Sequence, residues 1–392
     1  MKISDFQYHD IFYRKNELPC TIKKAHRIQQ KMQLNKKHLR NYLEKLYNQK
    51  INILKIKTLG SGCHGSAFLI EFEIKFEFKN NPEIKRVVLK TLEGSIGLGH
   101  NHFSDRAQSL LWANDTFNKL PKHVKAIDAA GISDDEIISI GKAKEFFLLM
   151  EEAKGVDYSY DLRSMKNKDS LDEADIIKIK QLTKYLADIH SVKYTGIDAK
   201  ILYWRKLRDT IGHGECLMGV LDNYPEAVEF TDYSEMAKIE KKCVDWRAKL
   251  KPMYHRICQI HGDFHRGNVW FSTNEDFTIL DRSRGEYGDA ADDVTAFTIN
   301  YIFSSIIHHG KLKGAYEEAL RLFYEQYLKL TGDYEILKVL ALFYAFRGVV
   351  VANPMFYPDI TENHRRKVFN LVHGVLDAEE FNIDEVNDYI KM

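Results

Sequence analysis

The sequence predicts an α+β protein of two lobes, a small antiparallel sheet followed by a mainly α-helical half. Three observations predict it. Residues 51–92 hold three runs of alternating apolar and polar residues joined by Gly- and Asn-Pro-containing turns. From Asp172 onward apolar residues recur with a 3.6-residue period. That helical texture breaks at Gln259–Leu280, where two short β-type runs flank a turn and follow a loop crowded with His, Asp, Asn and Gly.

Taken in order, the first 50 residues are polar and basic, with Leu34, Leu39, Tyr42, Leu43, Leu46 and Tyr47 at helical spacing. An i, i+4 apolar stripe of this kind buries itself on a neighbour, here as a cap on the next unit rather than a helix awaiting a partner. Ile51–Leu59 is the first alternating run, Gly60-Ser-Gly-Cys-His-Gly65 a glycine loop, Ala67–Phe78 the second run and Arg86–Leu92 the third. Phe103–Leu120 reads as a helix, and Ile137–Ser139 and Phe146–Met150 as strands. Glu151–Gly155 is a polar connector, and Asp172–Val192 the first long helix beyond it. Val269–Phe271 and Phe277–Leu280 form a short hairpin, and helices fill the remainder. Ile336–Ala352 is the most apolar stretch, but it has 17 residues and includes Lys338 and Arg347. A span needs about 20 mostly apolar residues, so this is a buried helix.

Composition narrows the function classes. Of 392 residues, 44% are hydrophobic and 29% charged, an ordinary globular balance. Lys+Arg (57) nearly equals Asp+Glu (56), so the net charge of +1 makes no case for nucleic acid or a membrane surface as partner. The five cysteines are scattered and form no CxxC pair, which argues against a disulfide framework and for a reduced, cytoplasmic setting. The start of the chain lacks the apolar core of a signal peptide.

The chemistry concentrates in His261-Gly-Asp-Phe-His-Arg-Gly-Asn268, with Ile279-Leu-Asp281 behind it. Asn268 lies five residues after Asp263, and Asp281 thirteen after Asn268. Metal-assisted phosphoryl transfer uses such a set: one carboxylate to orient or deprotonate a hydroxyl, and an amide oxygen with a second carboxylate to hold Mg²⁺ on ATP phosphates. The intervening hairpin brings Asn268 and Asp281 back to one ion. A zinc site on His261 and His265 is disfavoured, because Gly262 and Gly267 break a helix there and no HExxH glutamate is present.

HGDFHRGN resembles the HGDxHxxN loop of the aminoglycoside phosphotransferases and the choline-kinase-like small-molecule kinases. Lys184–His190 resembles that family's helix ending in LxxLH, and Gly288-Asp-Ala-Ala-Asp-Asp-Val294 its GDPxxDLA segment. The resemblance runs over about residues 54–300. It implies a protein-kinase-like two-lobe fold: a helical extension over 1–50, an ATP-binding sheet plus helix over 51–150, and a lobe with the catalytic loop and substrate-binding helices over 151–392. It also implies ATP and Mg²⁺ as cofactors and a small-molecule hydroxyl as acceptor. Asp263 is then the catalytic carboxylate, and Asn268 and Asp281 the metal ligands. Gly60, Ser61, Gly62, Cys63, His64 and Gly65 cover the phosphates, Lys90 steadies them, and the backbone of Glu151 to Ala153 meets adenine.

Two departures stand out. The helix after Lys90 offers Asp105 where a glutamate would pair with the lysine, and Arg282 and Arg284 follow the metal aspartate directly. The arginines fit an anionic acceptor or a pairing with Asp289, Asp292 or Asp293. His213 and Glu215 lie in the region expected to bind the acceptor. The rival readings are a nucleotide-binding pseudokinase or interaction module, suggested by the missing glutamate, and an atypical protein kinase. The intact Asp263/Asn268/Asp281 set opposes the first. The early helix after Asp281 leaves no room for the long activation segment of the second.

Overall fold

The structure, a computed structural model, describes residues 35–62, 65–75, 82–92, 102–119, 124–133, 136–141, 143, 152–226, 228–282 and 284–391. They fall into two compact units divided after residue 146.

The first unit is built on a three-stranded antiparallel sheet, β1 (Lys50–Gly62), β2 (Gly65–Lys75) and β3 (Glu83–Lys90), in that order. Alternation sets its buried face: Ile51 and Ile53 on β1 lie opposite Ile74 and Phe72 on β2, and Ile70 opposite Val87 on β3. Helix α1 (Lys36–Tyr47) covers that face with Leu39 and Leu43. The cap reading of this segment therefore holds over the described residues. Asn35 starts α1 by accepting from the N–H groups of Lys37 and His38, and Asn48 ends it at φ 51°. The Tyr42 hydroxyl donates to Asp128 Oδ2 at 2.8 Å and pins the helix to the chain beyond. Phe72 is fully buried in this small core, so Phe72→Ala would remove about 3–5 kcal/mol. Helix α2 (Phe103–Thr116) and the β4 (Ala130–Ile132)/β5 (Ile137–Ser139) hairpin complete the unit. The strand expected at Phe146–Met150 lies outside the described residues.

The second unit is mainly helical. After β6 (Val156–Asp157) and α3 (Ser159–Ser164) come α4 (Glu173–Ser191), α5 (Ala199–Gly212), α6 (Leu217–Asp222) and α7 (Tyr233–Leu250). Strands β7 (Cys258–Gln259), β8 (Val269–Phe271), β9 (Phe277–Ile279) and β10 (Tyr287–Gly288) interrupt the helices; β8 and β9 are the two runs that the sequence texture predicts, and β7 and β10 are additional. Helices α8 (Ala290–His309), α9 (Gly314–Thr331), α10 (Leu340–Ala352), α11 (Glu362–Asp377) and α12 (Val386–Lys391) follow. α8 is buried from Ala290 to Ile306, and α10 along nearly all its length. These two apolar helices form the centre of the core, and the others lay one apolar stripe against them. Among the described residues no helix is long and apolar enough to cross a membrane.

Candidate active site

The loop 261–268 between β7 and β8 is held from below by α8. Asp293, in the first turn of α8, accepts from the backbone N–H of His261 through Oδ2 and of Gly262 through Oδ1, both at 2.7 Å. His190, at the end of α4, places Nε2 3.1 Å from the same Oδ2 and Nδ1 2.8 Å from the Tyr327 hydroxyl. Sequence elements 31 to 103 residues from Asp293 thus converge on one carboxylate. Gly262 sits at φ +87°, a conformation in which a side chain would be strained. His261 Nε2 donates to the Leu280 carbonyl at 2.8 Å, which leaves Nδ1 to accept the Asp263 N–H at 3.2 Å.

These constraints deliver Asp263 as a buried carboxylate with a defined surround. Arg347 Nη1 donates to Oδ1 at 2.6 Å. Oδ2 has looser neighbours, Arg284 Nη2 at 3.4 Å and His265 Nε2 at 3.9 Å. Burial alone would raise the Asp263 carboxyl. The charges of Arg347, Arg284 and His265, with the Arg347 hydrogen bond, outweigh it and hold the group below the usual carboxylate range. Burial pushes the His265 imidazole down, against the pull of Asp263. Asp263 is therefore ionised at neutral pH.

Asn268 and Asp281 come together through the β8–β9 hairpin. The Asn268 side-chain nitrogen donates to the Asp263 carbonyl at 3.0 Å, and among the described residues nothing is shown bonding its amide oxygen. Val269 pairs with Ile279, and Leu280 N–H donates to the Asn268 carbonyl at 2.9 Å, so Asp281 follows directly beside Asn268. Asp281 is exposed and adopts φ +56°, a left-handed turn that aspartate tolerates. Among the described residues no group of three or more His, Cys, Asp or Glu could hold a metal. Two protein oxygens nevertheless suit Mg²⁺, which keeps waters and takes its other ligands from substrate phosphates. The donor set fits that ion.

The two arginines do not pair with the α8 aspartates, contrary to one of the sequence expectations. Arg282 is spent on backbone, donating to the carbonyls of Ile260 and Glu286. Arg284 turns to Asp263, and its Nε and Nη1 are buried with no acceptor among the described residues. The aspartates have other partners. Arg256 forks onto Asp289 at 3.0 and 3.1 Å, with the Tyr203 hydroxyl at 2.8 Å. Asp292 takes Lys206 at 2.8 Å and Arg347 at 2.8 Å. Lys206 and Arg347 were not among the site residues expected from sequence. The signal for Arg347 was a charge inside the most apolar stretch of the chain, which has to find a buried partner.

His213 and Glu215 are exposed in the connection from α5 to α6. Burial, with the Asp292 charge, pushes the neighbouring Cys216 thiol up, while the charges of Arg284, Lys206 and Arg347 pull it down. In the first unit, β1 and β2 pair through Gly60↔Ala67, Ser61↔Ser66 and Gly62↔Gly65, a hairpin whose tip, Cys63 and His64, lies outside the described residues. Lys90 ends β3 opposite Ala67, exposed and in no ion pair among the described residues. The structure does not join it to Asp105, whose carboxylate instead closes the cap of α2 by accepting the His102 N–H at 3.1 Å. Aspartate is a natural capping residue and its short side chain favours that local bond. Ala153 is half-buried and Glu151 lies outside the described residues.

A model of the phosphotransferase enzyme family matches residues 122–328, just over half of the chain. The chain belongs to this family and is a phosphotransferase by class. Among solved structures it is similar to an ethanolamine kinase of Plasmodium vivax (11% identity, 97% of this chain and 94% of that chain, TM-score 0.32). It is also similar to the choline kinase LicA from Streptococcus pneumoniae (11% identity, 87% and 98%, TM-score 0.32). A third is the complex of gentamicin with APH(2″)-IIa (12% identity, 88% and 97%, TM-score 0.30). No curated protein matches the sequence.

Proposed function

We propose that the protein transfers the γ-phosphoryl group of ATP to a hydroxyl of a small molecule, with Asp263 as the carboxylate that receives the acceptor hydroxyl. The observation that carries this reading is the arrangement at Asp263: an ionised, buried carboxylate with one oxygen fixed and the other loosely held, next to two oxygen ligands suited to Mg²⁺. Mg²⁺, when bound, neutralises phosphate charge. The acceptor O–H donates to Asp263 Oδ2. Its oxygen bonds the γ-phosphorus as the bond to the β-phosphate oxygen breaks, ADP leaves with that electron pair, and the hydroxyl proton passes to the carboxylate. A carboxyl held below its usual range is a weak base, so its main contribution is orientation; a loose phosphoryl-transfer transition state asks little more.

Asn268 and Asp281 are assigned to the metal, and Lys90, Gly60–Gly65 and the backbone of Glu151 to Ala153 to the nucleotide. His213, Glu215 and Arg284 are assigned to the acceptor, whereas Arg282 is already engaged with backbone. The test is ADP release with Mg·ATP against aminoglycosides, amino alcohols, nucleosides, sugars and hydroxy amino acids. One class should stimulate release. Asp263→Asn should lower kcat by about 10²–10⁴-fold while calorimetric ATP affinity stays nearly unchanged, and Asp281→Ala should abolish turnover. Wild-type turnover in Asp263→Asn would sink the assignment.

A further inference from the structure

Helix α10 reads Leu-Ala-Leu-Phe-Tyr-Ala-Phe-Arg-Gly-Val-Val-Val-Ala and is buried at twelve of its thirteen positions, Arg347 included. A guanidinium in such surroundings is unfavourable unless its donors find charged or polar acceptors. Arg347 finds three. Nη1 donates to Asp263 Oδ1 at 2.6 Å, and Nη2 to Asp292 Oδ1 at 2.8 Å and to the Gly262 carbonyl at 3.0 Å. Its guanidinium carbon lies 4.5 Å from the centre of the Phe346 ring.

We propose that Arg347 is a positioning residue for phosphoryl transfer: it occupies Oδ1 of Asp263 and fixes the carboxylate so that Oδ2 faces the acceptor hydroxyl. The inference rests on the role of Asp263 proposed above. Three features support it. The grip is one-sided, since the contacts to Oδ2 are 3.4 and 3.9 Å against 2.6 Å at Oδ1. The guanidinium cannot swing to follow Asp263, because Asp292 and the Gly262 carbonyl hold its other end and Lys206 anchors Asp292 at 2.8 Å. The backbone of Arg347 is itself set by close helix packing: a Cβ on the next residue, Gly348, would come within 2.3 Å of Val372 Cγ2 on α11. Lysine could not reproduce this planar fork.

The alternative is that Arg347 only neutralises two buried aspartates. Arg347→Met, Arg347→Lys, Asp263→Asn and the Asp263→Asn/Arg347→Met double variant separate the two. Positioning predicts that folded Arg347→Met binds ATP within about twofold of wild type and loses about 10²-fold in kcat, the usual effect of misplacing a reacting group by an ångström. Arg347→Lys should recover part of that loss. In the Asp263→Asn background, Arg347→Met should change kcat by less than about threefold, because the group it positions has lost its role. Should Arg347→Met not fold, Arg347→Met/Asp292→Asn removes the stranded charge and is measured instead. A lower melting temperature with wild-type kcat in the folded protein would show neutralisation alone and overturn the proposal. Crystal structures of wild type and Arg347→Met give a readout free of any acceptor: the Asp263 carboxylate should rotate or lose order, and an unchanged rotamer also overturns the proposal. Absence of phosphoryl transfer in the wild type would reject the proposed function, while the rotamer comparison would still decide the positioning.

Discussion

Asp293→Asn gives a direct measure of what holds the loop 261–268. The two loop donors point at different oxygens, His261 N–H at Oδ2 and Gly262 N–H at Oδ1, each at 2.7 Å. Asparagine has the same shape and one acceptor oxygen. His190 can adapt by exchanging tautomers, since its other nitrogen meets a tyrosine hydroxyl that both donates and accepts. The loop cannot adapt, because one backbone N–H is left facing an amide NH₂. An orphaned buried donor costs about 1–3 kcal/mol, and loss of charge assistance on the remaining bond about 1 kcal/mol more. A total of about 2–4 kcal/mol corresponds to roughly 30- to 1000-fold faster exchange of these amides by local opening, at about 1.4 kcal/mol per factor of ten. Site-resolved hydrogen exchange at His261 and Gly262 measures this directly, with amides of α9 as the internal control. Protection within threefold of wild type at both amides would refute the reasoning, because it would mean that the loop keeps its conformation without the Asp293 carboxylate.

Two further outcomes follow from the same cluster. Burial raises Asp289 and Asp292, but Arg256 on the first and Lys206 and Arg347 on the second leave both carboxyls below their ordinary range. Folded values below the unfolded value of about 3.9 mean a contribution that is complete above that pH and lost as pH falls through the folded values; this contribution should be flat from pH 7 to about 5, where any fall in melting temperature comes from buried imidazoles such as His265, and the melting temperature should drop steeply below about 4, whereas a rise below about pH 4 would show these pairs to be a net cost. Gly348→Ala forces a methyl against Val372 Cγ2 and should destabilise by about 1–3 kcal/mol in urea unfolding, whereas a neutral effect would show that α10 and α11 can separate freely.

The elements that were legible in the sequence are those in which a local pattern and the final packing agree. Alternation over 51–75 gave the sheet because one face is buried and the other is not, and the period of Ile179, Leu182 and Leu186 gave α4 because that stripe lies on the core. The spacing of Asp263, Asn268 and Asp281 was readable because only a one-turn 3-10 helix and a short hairpin lie between them. Partners across long separations were not readable. Arg284 lies near the α8 aspartates in sequence, but Arg256 on the turn before β7 and Lys206 on α5 with Arg347 on α10 satisfy Asp289 and Asp292. Charge complementarity shows that a buried aspartate needs a cation; only the topology shows which one. Asp105 illustrates the local version, since a carboxylate in a first helical turn can cap its own helix as well as reach across to a lysine.

The start of α8 gathers these separate bonds into one device. Asp289 caps the helix by accepting the Ala291 N–H at 3.0 Å, and Asp292 and Asp293 sit in the first turn, where the helix dipole favours negative charge. Each of the three then takes a cation or donor from a different part of the unit: Arg256 before β7, Lys206 and Tyr203 on α5, Arg347 on α10, and His190 on α4 with the loop amides. Burying so many charges is an uneconomical way to gain stability, since well-packed apolar residues of similar volume often do as well or better. What ion pairs supply and apolar contacts do not is direction. Apolar contacts are non-directional, so they resist a small slide between helices less than a forked guanidinium with three hydrogen bonds does. The cluster is therefore best understood as a fixture that sets four elements and the loop 261–268 in one register. The Asp263 carboxylate is the member of the set whose second oxygen is held only loosely, by Arg284 Nη2 at 3.4 Å.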